Sequence, residues 1–143
     1  MTYQIISERR KKNPGIIRMA GDAYNLVKRY WNAEKEHFIV ITLNGTYEPI
    51  SVSIVSIGLV NKTIVHPREV FINAIRDVAT AIIVCHNHPS GSLLVSDEDN
   101  KVSEMIYKAG ELLGIKVLDH IIFSKLGYAS LRKEGYLPPK EEE

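Results

Sequence analysis

Two histidines and an aspartate lie close together in the chain and have the types and spacing of metal ligands. His86 and His88 follow the apolar run 81–84, and Asp99 comes after the turn-forming stretch 89–91. Side chains alternate along a strand, so histidines two positions apart at its end point to the same side of a sheet. Two imidazoles and one carboxylate can therefore meet beside the strand end. That is the protein ligand set of a catalytic zinc, whose fourth position stays open for water.

A hydrolytic metal site also needs a base for the attacking water and a hydrogen-bond donor for the developing oxyanion. Ser96 lies three residues before Asp99, so its hydroxyl is close enough to face the same site. The base should be a carboxylate outside the ligand set. Glu36, just before a predicted buried strand, is the first candidate, while spacing alone leaves Glu34 and Glu48 open.

Some of these residues also have plain structural interpretations. Ser96 and Asp99 have the spacing of a helix N-cap with an acidic residue in the first turn, a role compatible with metal binding. Cys85 alternates away from the histidines, so we expect a small buried hydrophobe rather than a nucleophile. The pair Asp119-His120 is either support for the metal ligands from a neighbouring strand or a polar pair near a strand end.

The composition is that of a globular domain without a global attraction to nucleic acid. The chain has 143 residues, 45% of them apolar and 24% charged, with a net charge of +1. This length suffices for one domain with its own core. No apolar run approaches the roughly 20 residues of a membrane helix, and residues 1–12 lack the apolar segment of a signal peptide. A single cysteine fits a reducing compartment, so we predict a cytoplasmic protein without membrane contact.

Hydrophobic patterns predict strands and helices in alternation. Runs rich in β-branched residues predict strands at 37–43, 50–57, 81–85, 115–123 and 127–131. Asn44-Gly45 predicts that the first two strands pair antiparallel. Helices are predicted from Asp22 as N-cap, from near Arg68, and from Ser96. The predicted fold class is α/β, a single three-layer-like domain with a mixed sheet flanked by helices.

The same helical spacing predicts which faces are buried. In the helix that begins near Arg68, the expected buried residues are Val70, Phe71, Ala74, Ile75 and Val78. In the helix after Ser96, they are Val102, Met105, Ile106, Ala109, Leu112 and Leu113. Gly114 is the expected end of that helix.

The chain is predicted to divide into an N-terminal arm (1–20), one domain (21–136) and a charged C-terminal tail (137–143). The arm contains the basic run Arg9-Arg10-Lys11-Lys12, and the tail ends in three glutamates. Short charged runs of this kind are mostly solvated chain ends rather than binding sites.

The motifs, taken together, carry a family resemblance. His86-x-His88, seven residues, Ser96, two residues and Asp99 resemble the metal motif of the JAMM/MPN+ metalloproteases. Within that superfamily, the run His-Asn-His-Pro-Ser-Gly is similar to the RadC family of bacterial and phage proteins. Further matching stretches are Glu36-His37-Phe38, His66-Pro67-Arg68-Glu69, Leu112-Leu113-Gly114-Ile115 and Leu118-Asp119-His120-Ile121-Ile122. The resemblance covers roughly residues 22–135.

This resemblance implies a JAMM/MPN fold with cytidine-deaminase-like architecture. It implies that His86, His88 and Asp99 bind one zinc ion per chain. It further implies that Glu36 is the general acid/base and that Ser96 supports the tetrahedral intermediate. The implied activity is hydrolysis of peptide or isopeptide bonds in a peptide or protein substrate by a zinc-activated water.

Two other hypotheses are compatible with the sequence. The family name carries a DNA-repair label, so the chain could instead be an accessory protein that binds DNA or a repair or recombination partner. Only the basic run 9–12 supports that role here, and we expect any DNA link carried by the helix-hairpin-helix region of longer RadC proteins to be missing. The third hypothesis is a metal-binding scaffold without catalysis.

The sequence departs from the family motif at one position in the loop. Val95 replaces the family's usual proline before Ser96, which we expect to leave the metal site intact.

Overall fold

The structure is a computed structural model that describes residues 4–6, 15–59 and 65–140. Within these ranges the chain forms one six-stranded sheet and three α-helices. In chain order the elements are β1 (Gln4–Ile6), α1 (Ala20–Val27), a 3-10 turn (Lys28–Tyr30), β2 (Lys35–Leu43), β3 (Pro49–Leu59), α2 (Pro67–Arg76), β4 (Ala81–Asn87), α3 (Asp97–Leu113), β5 (Lys116–Ser124) and β6 (Gly127–Ser130). The predicted α/β class is confirmed.

The strand order across the sheet is β1-β3-β2-β4-β5-β6. β4 and β5 run parallel, and each of the other neighbouring pairs is antiparallel. The predicted mixed sheet is therefore confirmed, as is the antiparallel pairing of β2 with β3. α3 forms the crossover between the two parallel strands, which need a long connection to enter the sheet in the same direction.

The edge strand β1 belongs to the segment that the sequence predicts as an arm, and Gln4 pairs with Ile54 of β3. The division into arm, domain and tail stays a prediction, because the basic run 9–12 and the glutamates 141–143 lie outside the described residues. Among the residues that are described, no helix combines the length and apolar character needed to cross a membrane.

The central strands are buried because helices cover both faces of the sheet. All seven residues of β4 are buried, as expected for a strand inside a layered α/β sheet. Ile83 packs on the side of α1, which we call the α1 face. Val84 packs on the side of α2 and α3, which we call the α3 face. By this alternation His86 belongs to the α3 face and Asn87 to the α1 face.

The first helix begins earlier than the sequence predicts. α1 starts at Ala20, so Asp22 is its third residue rather than its N-cap. The Asp22 carboxylate accepts hydrogen bonds from the backbone N–H groups of Arg18 and Met19, at 2.9 and 3.2 Å. A carboxylate at the third position can reach back to N–H groups before the helix in this way. The residue has a capping function, but its predicted position was wrong.

The predicted buried faces of α2 and α3 are wrong at five positions. These exposed residues are Ile75, Val78, Met105, Leu112 and Leu113. α2 ends at Arg76, and Val78 lies in the following turn with a φ of 52°, so it leaves the helix face. In α3 the buried residues are Asp99, Ser103, Ile106 and Gly110, so Ile106 is buried as predicted and the other buried positions carry polar or small residues.

Gly110 allows α3 to lie close to the start of β5. A Cβ atom on Gly110 would be 2.5 Å from the carbonyl oxygen of Ile115 and 3.0 Å from Cγ2 of Val117. The first of these atoms belongs to the backbone, so it cannot move aside as a flexible side chain would. Gly114, with a φ of 70°, then ends the helix as predicted.

We expect Gly110→Ala to lower the free energy of unfolding by about 1–3 kcal/mol, because the added methyl group forces the helix away from β5. Urea unfolding measures the change. Gly45→Ala is the matched control, since a Cβ there meets nothing within 4 Å. Equal stability of the two variants would contradict the close approach.

Candidate metal centre

The structure brings His86, His88 and Asp99 together at the end of β4. His86 is the penultimate residue of β4, His88 follows the strand, and Asp99 lies in the first turn of α3. The Nε2 atom of His86 is 2.9 Å from Oδ1 of Asp99, and the Nε2 atom of His88 is 3.2 Å from Oδ2. The two Nε2 atoms are 3.0 Å apart. The potential ligand atoms lie within 4.8 Å of one another, so this group can hold a metal ion.

Asp99 is at the same time part of the cap of α3. The Oγ atom of Ser96 accepts a hydrogen bond from the Asp99 N–H at 3.0 Å, and Oδ2 of Asp99 accepts one from the Ser96 N–H at 2.9 Å. This reciprocal pair is a capping box, which confirms the predicted helix start. The cap holds the carboxylate where the two imidazoles meet it.

The charge state of the group favours a cation. Burial raises the pKa of the Asp99 carboxyl, but hydrogen bonds from His86 and His88 outweigh it and hold that pKa far below its usual range. Burial lowers the pKa of His88, but the hydrogen bond and the charge of Asp99 reverse this, so the pKa of His88 is raised. The carboxylate thus stays ionised beside the imidazoles, and a metal ion would take the place of the protons they share.

Both imidazoles have a hydrogen-bond partner at the nitrogen that faces away from the group. Nδ1 of His88 is 2.9 Å from the carbonyl oxygen of Ser92, and Nδ1 of His86 is 2.7 Å from Nε2 of His120. A carbonyl oxygen can only accept, so His88 carries a proton on Nδ1. Partners of this kind orient metal-binding histidines. Two imidazole nitrogens and a carboxylate oxygen form a donor set that fits zinc.

Only one residue of the predicted supporting pair Asp119-His120 reaches this group. In the β4–β5 pairing, Ile82 lies opposite Val117 and Ile83 opposite Asp119, so Leu118 is an extra residue in β5. This bulge places His120 on the α3 face, where it contacts His86. Burial lowers the pKa of His120 well below its usual value, so its ring is neutral.

Asp119 lies on the α1 face, because side chains alternate along β5. Its carboxylate accepts hydrogen bonds from the Ser130 hydroxyl and from the backbone N–H of Arg132. Burial raises the pKa of Asp119 although these hydrogen bonds oppose it. Asp119 thus holds the end of β6 and the chain that follows it by hydrogen bonds. The structure does not bring it to His86, His88 and Asp99, the metal-ligand group.

The metal-ligand group opens into a cleft of about 250 Å³. Phe38 of β2 pairs with His86 across the strands, and Glu36, two residues earlier, shares its side of the sheet. Both line the cleft, as does Ser96 from the start of α3. Besides the larger effects of Asp99, the charge of Glu36 contributes to the raised pKa of His88.

The two other carboxylates that the sequence leaves open lie elsewhere. Glu48 accepts a hydrogen bond from the Thr46 hydroxyl in the turn after β2, at the opposite end of that strand from Glu36. The backbone N–H of Glu34 donates to Oδ1 of Asn32. Within the described ranges, the cleft lining includes Glu36 but neither Glu34 nor Glu48.

Sequence reasoning missed the contribution of Asn87. This fully buried side chain accepts a hydrogen bond from the His37 N–H and donates to the carbonyl oxygens of Asn32 and Lys35, at 3.1 and 3.0 Å. It therefore fixes the backbone on both sides of Glu36. Strand alternation shows that Asn87 points away from the histidines, but no local signal in the sequence identifies its partners.

Cys85 also points away from the metal-ligand group and is fully buried. Burial, with the nearby charge of Asp119, raises the pKa of its thiol well above the usual value. The thiol therefore stays protonated at neutral pH, which suits a packing residue rather than a nucleophile.

The sequence matches a known family. Residues 17–136 match the model of the RadC-like JAB domain. That is most of the chain, so the protein belongs to this family, and the resemblance to RadC proteins is confirmed.

Curated relatives share much of the sequence. The chain is 52% identical over 103 residues to a UPF0758 protein of Methanospirillum hungatei, covering 72% of this chain and 46% of the relative. It is 41% identical over 129 residues to one of Rubrobacter xylanophilus, covering 88% and 56%. It is 44% identical over 117 residues to one of Clostridium acetobutylicum, covering 81% and 51%. The chain thus spans about half the length of these relatives, whose names state no activity.

We expect Asn87→Ala to lower the free energy of unfolding by about 2–4 kcal/mol, because three backbone groups lose a buried hydrogen-bond partner. Chemical denaturation measures the loss. The exposed Asn25 of α1 provides the control, and Asn25→Ala should change stability by less than about 0.5 kcal/mol. An Asn87→Ala variant as stable as the control would show that these hydrogen bonds do not hold β2 in place.

Proposed function

We propose that this protein is a zinc-dependent hydrolase of amide bonds, with a peptide or protein as substrate. The observation that carries the proposal is the convergence of His86, His88 and Asp99 in a cleft that also contains the carboxylate of Glu36. Membership of the RadC-like JAB family supports a hydrolytic role. The site supplies both parts that hydrolysis requires, a metal-ligand group and a proton acceptor outside it.

Zinc bound by His86, His88 and Asp99 would supply a Lewis acid that makes water acidic and a carbonyl group electrophilic. The protein itself contributes the fixed positions of these three side chains. Each imidazole is oriented through its Nδ1 atom, and Asp99 is held by the cap of α3. The ligands are thus preorganised, so little conformational freedom is lost when the ion binds.

In the proposed mechanism Glu36 moves the proton. Glu36 lines the cleft and lies outside the set of three potential metal ligands. It takes a proton from the attacking water and delivers it to the leaving nitrogen, so one carboxylate serves as base and then as acid. Asn87 holds the backbone on both sides of Glu36, which keeps the carboxylate directed at the cleft.

Ser96 stabilises the developing negative charge on the carbonyl oxygen in this mechanism. Its Oγ accepts the hydrogen bond from the Asp99 N–H, so its own proton remains free to be donated. Ser96 lines the cleft. A hydroxyl fixed by a helix cap is a preorganised donor of the kind that supports tetrahedral intermediates.

The lining of the cleft supports an amide rather than a phosphodiester substrate. Its apolar members are Phe38, Val65, Pro89 and Val102. Glu36 and Glu98 add negative charge, and no lysine or arginine is among the described residues that line the cleft. Phosphate-binding sites use cations to attract their anionic substrate, so this cleft favours a peptide chain. The DNA-associated role and the cytoplasmic location stay predictions.

The first test is the zinc content of the purified protein, measured by elemental analysis together with a His88→Ala variant. We expect about one zinc per chain in the wild type and a loss of most of it in the variant, because structural and catalytic zinc sites require at least three protein ligands. A His66→Ala variant controls for nonspecific histidine binding, since His66 does not belong to the group. Absence of zinc from a folded wild type never exposed to chelator would overturn the metal assignment.

The second test addresses the role of Glu36. We expect Glu36→Gln to keep its zinc and to lose activity by about 100-fold or more, because the amide has the size of the carboxylate but cannot accept the proton. Turnover is measured with a peptide or isopeptide substrate that the wild type cleaves. Glu34→Gln is the matched control, and it should retain wild-type turnover. Full activity of Glu36→Gln would contradict the assigned role.

A further inference from the structure

His120 is a polar side chain in a buried position on the α3 face of the sheet, which is an unfavourable environment for it. The side chain is fully buried, next to Phe38 and His86. Its Nε2 atom lies 2.7 Å from Nδ1 of His86, but its Nδ1 atom has no hydrogen-bond partner among the described residues. A buried polar nitrogen without a partner costs free energy. An aliphatic side chain on this strand would avoid that cost, so packing alone does not account for a histidine.

The partner of His86 determines what His86 can bind. A neutral imidazole carries one proton, and its other nitrogen presents a lone pair. To bind a metal through Nε2, the nitrogen that faces Asp99 and His88, His86 must carry its proton on Nδ1. That proton needs an acceptor in a buried environment. Nε2 of His120 lies within hydrogen-bond distance of Nδ1 of His86.

His88 also needs an acceptor for the proton on its Nδ1 atom, and a backbone carbonyl group provides it. The Nδ1–H of His88 donates to the backbone carbonyl oxygen of Ser92, so Nε2 of His88 is left as the acceptor. For His86, the acceptor is a side chain that reaches it from the adjacent strand. The bulge at Leu118 makes this possible, because it turns His120 rather than Asp119 toward the α3 face.

We propose that His120 is a positioning residue for the metal centre: its Nε2 accepts the Nδ1–H of His86 and keeps the Nε2 lone pair of His86 directed at the metal. The inference rests on the zinc site of the proposed function and assigns a residue that does not touch the metal. Such partners typically change metal affinity by about 10–100-fold when they are removed.

The test compares zinc affinity among full-length variants, measured by competition with a chelator of known affinity. His120→Leu removes the acceptor and leaves an apolar side chain, and we expect zinc to bind about 10–100-fold more weakly. His120→Gln restores a side-chain oxygen that can accept, and we expect it to recover most of the affinity. Asp119→Asn is the matched control on the opposite face and should bind zinc as the wild type does.

A spectroscopic signature separates this role from packing. In the zinc-loaded, ¹⁵N-labelled wild type, long-range ¹H–¹⁵N spectra should show the proton of His86 on Nδ1, with slow exchange because it is buried and hydrogen-bonded. In His120→Leu this proton should exchange faster. The wild-type spectrum keeps the proposal testable even if His120→Leu does not fold.

The outcomes distinguish the two proposals. A wild type that binds no zinc overturns both. A wild type that binds zinc, with a folded His120→Leu variant of equal affinity, overturns the role of His120 and leaves the hydrolase proposal in place. Equal losses in His120→Leu and His120→Gln would assign the effect to packing and overturn the hydrogen-bond role. Weaker binding in His120→Leu with recovery in His120→Gln supports it.

Discussion

The carboxylate of Asp99 is shared between a helix cap and the candidate metal centre, and the site depends on this sharing. One oxygen faces His86, and the other accepts from the Ser96 N–H while facing His88. The start of α3 therefore cannot shift without moving the carboxylate. A helix N-terminus also favours a negative charge through its free N–H groups and its dipole. The helix thus stabilises the ionised form of the side chain that the site requires.

The parts of the site that follow local rules could be predicted from the sequence. Period-two alternation places His86 and His88 on one side of β4 and Cys85 on the other. Capping chemistry places Asp99 in the first turn of α3. These predictions require only the residues between positions 81 and 99, so the rest of the fold does not enter. The mixed sheet could also be predicted, because the chain alternates strand and helix patterns and contains one recognisable antiparallel pair.

The parts that depend on strand register could not be derived from local patterns, and only the family resemblance singled out Glu36. Glu36 was one of three candidate carboxylates, and only the pairing of Phe38 with His86 places it in the cleft. The bulge at Leu118 decides that His120, not Asp119, faces the metal-ligand group. The buried face of α3 was misjudged because helical periodicity favours leucine and methionine over Ser103 and Gly110. In the fold, the close approach of the helix to β5 requires the small residues instead.

The residues of the site are separated by different distances along the chain, so two parts of the site should differ in stability toward local unfolding. One short segment of the chain contains His86, His88 and Asp99. Glu36 comes from a different strand, β2. The contacts of β2 with β4 join residues far apart in sequence, such as His37 and Asn87, which are 50 positions apart. Closing a short loop costs less conformational entropy than closing a long one. Proteins also open in parts, at lower free energy than complete unfolding. Separation of β2 from β4 would therefore carry Glu36 away, while His86, His88 and Asp99 stay together. On heating or in mild denaturant, the group that can hold a cation should therefore persist after Glu36 has left the cleft.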